Sequence, residues 1–343
     1  MSVLSQTRRE AEQAKAATLT LEQRATGTAP VVALSAQELI AREFPPREDY
    51  FGKFITSQSL GMVHAWRGIG KTHFGLEAAF AVASGGRYLK WDAPEARRVL
   101  YLDGEMPGAV LQERVARIAA SAETEPPGGF LRFVTPDVQA GPLPDLATTE
   151  GQEQYGDALQ GVNLIIVDNL SCLARRGGKE NEAESWLTMA DWALRQRAAG
   201  RAVMFIHHSG KGGAQRGTSR REDLLDWVIA LRRPMDYLYK EGARFTVEFE
   251  KARGLVGDAV TEFEAKLGTD EHGRRSWTMA NLEDAGLKQV AVLVKEGATQ
   301  KDIADELGLT RFQAGRRIKT AIEAGLISHS DVRDGRTKRG KNE

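Results

Sequence analysis

One short stretch has the residue types and spacing to handle phosphate: Ala65-Trp66-Arg67-Gly68-Ile69-Gly70-Lys71-Thr72, followed by His73. Glycine lets a backbone pass close to a ligand. N–H groups of a tight loop that opens a helix form a natural anion cradle. At this spacing Lys71 would reach the β- and γ-phosphates of a nucleotide, and Thr72 would offer its hydroxyl to Mg²⁺. Ala65 stands where such loops usually carry their first glycine, which leaves Lys71 and Thr72 intact. A second stretch, Leu164-Ile165-Ile166-Val167-Asp168, is an apolar run ending in an acid. Asp168 would hold Mg²⁺ directly or through water, opposite Thr72. A third is Val99 to Leu102, followed by Asp103-Gly104-Glu105. Glu105 could orient or deprotonate a water attacking the γ-phosphate.

Two further groups have more than one reading. His207 and His208 end the apolar run Arg201–Ile206. Adjacent strand residues point to opposite faces, so the pair does not suit one metal. They read either as satisfied strand-end histidines or as a sensor that touches the γ-phosphate or its water, with His208 taken for that role. Lys251 and Arg253 are two apart at the end of the alternating segment Arg244–Arg253 and so point the same way. Two adjacent cations need an anion. That anion is either solvent-borne, at an edge strand, or the γ-phosphate held by the next subunit of a ring.

These groups need elements to carry them. The apolar runs at 59–64, 99–102, 130–134, 163–167 and 201–206 read as buried parallel strands. Helical spacing is expected at His73–Ser84, closed by Gly85-Gly86, at Ala109–Ala122, and at Glu184–Ala199 with Trp186 and Trp192 in the core. Alternating strands and helices make an α/β core with a mostly parallel, twisted sheet, whose ligands bind outside the carboxyl ends of the strands. The segment Asp223–Leu231 reads as a short helix running into a strand, and 244–253 and 261–267 as two further edge strands. Before them, following His207-His208, lies the basic, glycine-bearing stretch with Lys211, Arg216, Arg220 and Arg221, either a solvated loop or a contact for nucleic-acid phosphates.

Outside the core at 59–280, residues 1–30 are polar and Ala-rich and read as frayed helix or disorder. Residues 31–58 read as an arm or linker with one short helix over Leu34–Ile40, broken by Pro45-Pro46. Residues 283–332 read as helix, turn, helix. Thr299 caps one helix, Gly308 makes the turn, and Thr310 caps the next. The outward face of that last helix would carry Arg311, Gln313, Arg316, Arg317 and Lys319, suited to DNA. Residues 323–328 read as the step into a wing, and 333–343 as a basic disordered tail.

The chain is 343 residues, with 47 basic and 47 acidic side chains, so any attraction to nucleic acid must be local. Its single cysteine, Cys172, excludes an intrachain disulfide and a cysteine-built zinc site, and is expected in the core. No apolar stretch is long enough to span a bilayer and no apolar signal core opens the chain, so a cytoplasmic location is expected.

Taken together, residues 65–72, 100–106, 164–168, 207–211 with 216–219, and 250–254 resemble the RecA-like ATPase superfamily. The nearest branch looks like the RepA-type plasmid and phage helicases, an AAA-type group related to DnaB-type ring helicases. Residues 283–332 resemble winged helix DNA-binding domains. The resemblance covers roughly residues 50–267. It implies ATP and Mg²⁺ as cofactors, a catalytic Glu105, Mg²⁺ at Thr72 and Asp168, and a trans-acting Lys251/Arg253 pair. It also implies a homo-hexamer, with single-stranded DNA contacted in the pore by the 210–221 loop and duplex at the C-terminal unit. Two other functions fit the same residues: a regulatory or recombination ATPase that binds DNA without unwinding it, and a nucleotide-switched DNA-binding regulator. The long C-terminal module departs from the helicase pattern.

Overall fold

The computed structural model describes residues 31–175, 182–209, 223–234, 237–271, 273–307, 309 and 311–332, without the side chains at 182–185, 282–285 and 313. The readings placed on residues 1–30, on Lys211, Arg216, Arg220 and Arg221, on Gly308 and Thr310, on the Gln313 side chain and on 333–343 lie outside the described residues.

In chain order the first elements are α1 (Ala36–Ala41), β1 (Asp49–Phe51), β2 (Ile55–Thr56), β3 (Leu60–Ala65), α2 (Lys71–Ser84), β4 (Arg87–Tyr88) and β5 (Trp91–Asp92). Then come β6 (Val99–Asp103), α3 (Gly108–Ala119), β7 (Leu131–Val134), α4 (Thr149–Glu153), β8 (Leu164–Asp168), α5 (Leu170–Leu173), α6 (Glu182–Ala198) and β9 (Ala202–His208). The chain continues with β10 (Trp227–Arg232), β11 (Arg244–Ala252), β12 (Phe263–Thr269) and β13 (Arg275–Asn281), and ends with α7 (Leu282–Lys295), α8 (Gln300–Glu306) and α9 (Arg311–Glu323).

The main sheet has the order β13-β12-β11-β10-β3-β9-β8-β6-β7. From β10 to β7 every pairing is parallel, while β11 runs antiparallel to β10. Strands β3, β6 and β8 are buried along their whole length, as apolar runs covered on both faces must be. One face packs Leu60, Met62, Leu102, Val167 and Phe205 against Trp186, Met189 and Trp192 of α6. Helix α2 is buried along Phe74, Ala78, Ala79 and Val82. A side chain at Gly75 would come within 2.4 Å of Ile206, so its absence brings α2 close to β9. Gly85 ends the helix in the left-handed conformation that closes its last turn.

The structure corrects several expectations. Residues 49–56 are a buried hairpin of the core rather than arm or linker. Its Phe51 and Phe54 pack edge-to-face with Trp91, and Phe54 also meets Trp227 and Phe249. Residues 223–226 form no helix. Asp226 sits instead in a bend before β10, held because its backbone pairs with Leu60 and Arg253 and its carboxylate accepts the Leu60 N–H at 2.9 Å and a bond from Arg197. A third strand, β13, extends the edge beyond the two expected. Cys172 lies in α5 and is half-buried rather than buried.

Contacts divide the chain into two compact units: Met1–Thr261 with Lys266–Thr278, and Glu262–Ala265 with Met279–Glu343. The second unit holds α7, α8 and α9 around its own core of Val290, Val294, Ile303, Ala314, Ile318 and Ala321. Thr299 and Asp302 form a reciprocal cap at the start of α8. Arg311, Arg316, Arg317 and Lys319 are exposed on α9. The expected step into a wing is not found among the described residues, where 329–332 are helical. The reason is local: Ser328 and Asp331 exchange backbone-to-side-chain bonds at 2.7 and 3.2 Å, a helix-starting pattern. No described helix is long and apolar enough to cross a membrane.

Gly61, near the start of β3, lies against the ring of Trp227, and a Cβ there would come within 1.9 Å of it. Trp227 is buried and cannot move aside. Gly61→Ala should therefore destabilise the fold by about 1–3 kcal/mol. Thermal melting of the variant against the parent measures this.

Candidate functional site

Strand β3 delivers Ala65 to the carboxyl edge of the sheet, and α2 begins at Lys71. The turn between them needs two glycines: Gly68 has φ 73° and Gly70 φ 129°, where other residues are strained. Ile69 is buried and anchors the loop, while Trp66 and Arg67 are exposed. Lys71 is only 6% exposed. Its ammonium donates to the carbonyls of Ala65 (3.0 Å) and Trp66 (3.1 Å), folding it over the loop. Burial pushes its pKa down to about 8, against the opposing pull of Asp168 and Glu105. The His73 ring is turned to Arg275, 3.0 Å away, and burial lowers it to about 4. Its imidazole is thereby committed elsewhere, and only its backbone is left to the loop.

Asp168 ends β8 in register with Asp103 at the end of β6. Its carboxylate accepts a bond from the Tyr101 hydroxyl at 2.6 Å and another from Thr72. Burial, with Asp103 and Glu105 nearby, pushes its pKa up to about 6. One Asp103 oxygen accepts the N–H groups of Glu105 and Met106 at 3.2 Å each, while the other is buried without a partner. Two packed carboxylates, one of them with an orphaned oxygen, and a hydroxyl are the hard oxygen donors that Mg²⁺ takes. No group of three or more His, Cys, Asp or Glu among the described residues is placed to hold a metal alone. Phosphate oxygens and water would complete the shell, as Mg²⁺ prefers.

Glu105 is exposed just beyond β6. Its carboxylate accepts a bond from the Asn169 amide, and the same amide reaches His208 Nε2 at 3.2 Å. His208 lies 3.7 Å from Glu105. Burial, then Lys71, keep the His208 ring below its usual pKa. Asn169 also caps α5 through the Cys172 N–H. Asn169 and Asp103 are the site residues that the motif reading missed. The signal for them was position: each is at, or one residue past, the carboxyl end of a strand that already carried an assigned acid.

Lys251 and Arg253 are not part of this cluster. Lys251 pairs with Val228, which in turn pairs with Met62, three residues before Ala65. At strand spacing that is about 10 Å toward the opposite edge of the sheet. Arg253 donates to the carbonyl of Asp223 at 2.8 Å.

Comparison with known families adds one finding to this geometry: residues 23–214, more than half of the chain, match the model of a family described as an AAA domain. If Glu105 handles the attacking water, Glu105→Gln should lower kcat by about 10²- to 10⁴-fold. Nucleotide affinity should stay within a few-fold. Asn169→Ala should lower kcat less, by about tenfold, through loss of the Glu105 orientation. Steady-state hydrolysis and equilibrium nucleotide binding read both.

Proposed function

Because the chain belongs to the AAA-domain family of nucleotide-hydrolysing P-loop ATPases, we propose that it is a ring-forming, ATP-driven motor on DNA, of the RepA/DnaB helicase type, serving plasmid, phage or mobile-element replication. The loop amides from Gly68 to Thr72 cradle the phosphates, and Lys71 leaves its two carbonyls for the more strongly accepting phosphate oxygens. Glu105, oriented by Asn169 and watched by His208, receives a proton from the attacking water. Thr72, Asp168 and Asp103 would hold Mg²⁺, which when bound spreads the negative charge of the transferring group. Lys251 and Arg253 supply positive charge to the γ-phosphate of a neighbouring subunit.

The observation that carries this reading is the register of β11. It separates Lys251 from its own phosphate loop, so a phosphate it serves belongs to another copy. A homo-hexamer is the assembly proposed. The exposed cations of α9, over a core of their own, support contact with duplex DNA by the helical second unit. The basic 210–221 segment is proposed to meet single-stranded DNA in the pore.

Strand displacement on forked DNA with ATP, run beside native mass measurement, tests the proposal. A hexamer that unwinds is expected. ATPase stimulated by single-stranded DNA without displacement would leave a DNA-bound regulatory or recombination ATPase instead. Arg316→Ala with Arg317→Ala should weaken duplex binding and reduce its salt slope by about two, one per lost phosphate contact.

A further inference from the structure

The nucleotide site leaves one buried polar chain unused. The carbonyl of Ala65 accepts two bonds, from Lys71 at 3.0 Å and from the N–H of Ser209 at 3.0 Å. Ser209, itself buried, bonds His64 Nδ1 through its hydroxyl at 2.8 Å. His64 Nε2 reaches Glu250 at 2.7 Å, and Glu250 also accepts from Arg232 at 2.6 Å. A carboxylate only accepts, so Nε2 carries the hydrogen of the His64–Glu250 bond. The path runs from β9 to β3 and, passing over β10, to β11. Ala230 pairs with both His64 and Glu248, and its small side chain leaves the crossing open.

Glu250 holds a special position. Ile229 pairs with Phe249 and Val228 with Lys251, so Glu250 is the extra residue of a bulge. A bulge re-aims the side chains around it and shifts the alternation of every residue after it. Lys251 pairs with Val228, which belongs to the core face shared by Met62, the face on which His64 also falls. The facing of Lys251 therefore depends on the bulge, and the bulge is fastened by His64 and Arg232. The His64 bond also holds the Glu250 carboxyl below its usual pKa.

We propose that His64 is a positioning residue that ties the chain's own phosphate loop, through Ser209, to the Glu250 bulge that aims Lys251 at a neighbouring subunit's γ-phosphate. This rests on the trans role given to Lys251 above. It gives the chain a hydrogen-bonded route from the loop that binds its own nucleotide to the cation that completes the next site.

The test compares His64→Leu, His64→Gln, Lys251→Ala and the double variant His64→Leu/Lys251→Ala in the full chain, by kcat, KM and melting temperature. His64→Leu should lower kcat about 3- to 30-fold at unchanged KM, the range of a coupling transmitted through a packed network. Gln, which can both accept from Ser209 and donate to Glu250, should recover most of the loss. The double variant should be no slower than Lys251→Ala alone, since both act through one cation. Parent-like turnover in His64→Leu beside a slow Lys251→Ala overturns the relay alone. So do losses that multiply, or a Gln variant no better than Leu. Parent-like turnover in Lys251→Ala removes the trans role itself, and the relay with it. If His64→Leu does not fold, Glu250→Gln, which keeps shape and loses charge, takes its place in the same comparison.

Discussion

A buried ammonium must be surrounded by acceptors, and Lys71 sets this requirement for the whole active edge. It is nearly sealed from water, yet it has to stay charged to meet a phosphate. Two loop carbonyls hold it by direct bonds, and the carboxylates of Asp168 and Glu105 offset part of the desolvation. The acids carry the reciprocal problem. Asp168 and Asp103 end neighbouring strands in register and are almost wholly buried; burial raises the cost of ionising each, and Asp103 adds to that of Asp168. A lysine on one side offsets part of that cost, and a divalent cation, if bound on the other, would offset the rest. The parallel sheet makes this possible, because it brings the ends of β3, β6, β8 and β9 to one edge.

Much of that arrangement was legible in the amino-acid order. Apolar runs ending in Asp168, Asp103-Gly104-Glu105 and His207-His208 mark strands with chemistry at their carboxyl ends, and β6, β8 and β9 lie where those runs predict. Helix α2 and its glycine stop were readable for the same reason: its signals are local. What was not readable depends on partners far away in the chain. The aromatic pair Phe51 and Phe54 looked like linker because the residues that bury it, Trp91, Trp227 and Phe249, come later. Asp223–Leu231 has helical composition, but long-range pairing of Asp226 with Leu60 and Arg253 overrides it. The bulge at Glu250 exists only in the register of two strands, which no single segment encodes.

The second unit shows the opposite balance. Thr299 with Asp302, and Ser328 with Asp331, are caps written within four residues, and the apolar spacing of α9 is regular. The one misreading there, a wing after residue 323, also came from a short-range cue. Ala324-Gly325 ends α9 in a turn, and the chain beyond Ser328 enters another helical turn instead of a strand.

The placement of β3 has a consequence for biosynthesis. Its neighbours in the sheet are β9 and β10, whose residues 202–232 leave the ribosome long after the phosphate loop at 65–72. Until they arrive, the apolar strand that carries the loop has no partner on either side and must wait as exposed, aggregation-prone chain. The nucleotide cradle is thus synthesised well before the strands that complete the sheet on both sides of it. Nascent chains that end before Trp227 lack β10 and cannot close the sheet around it.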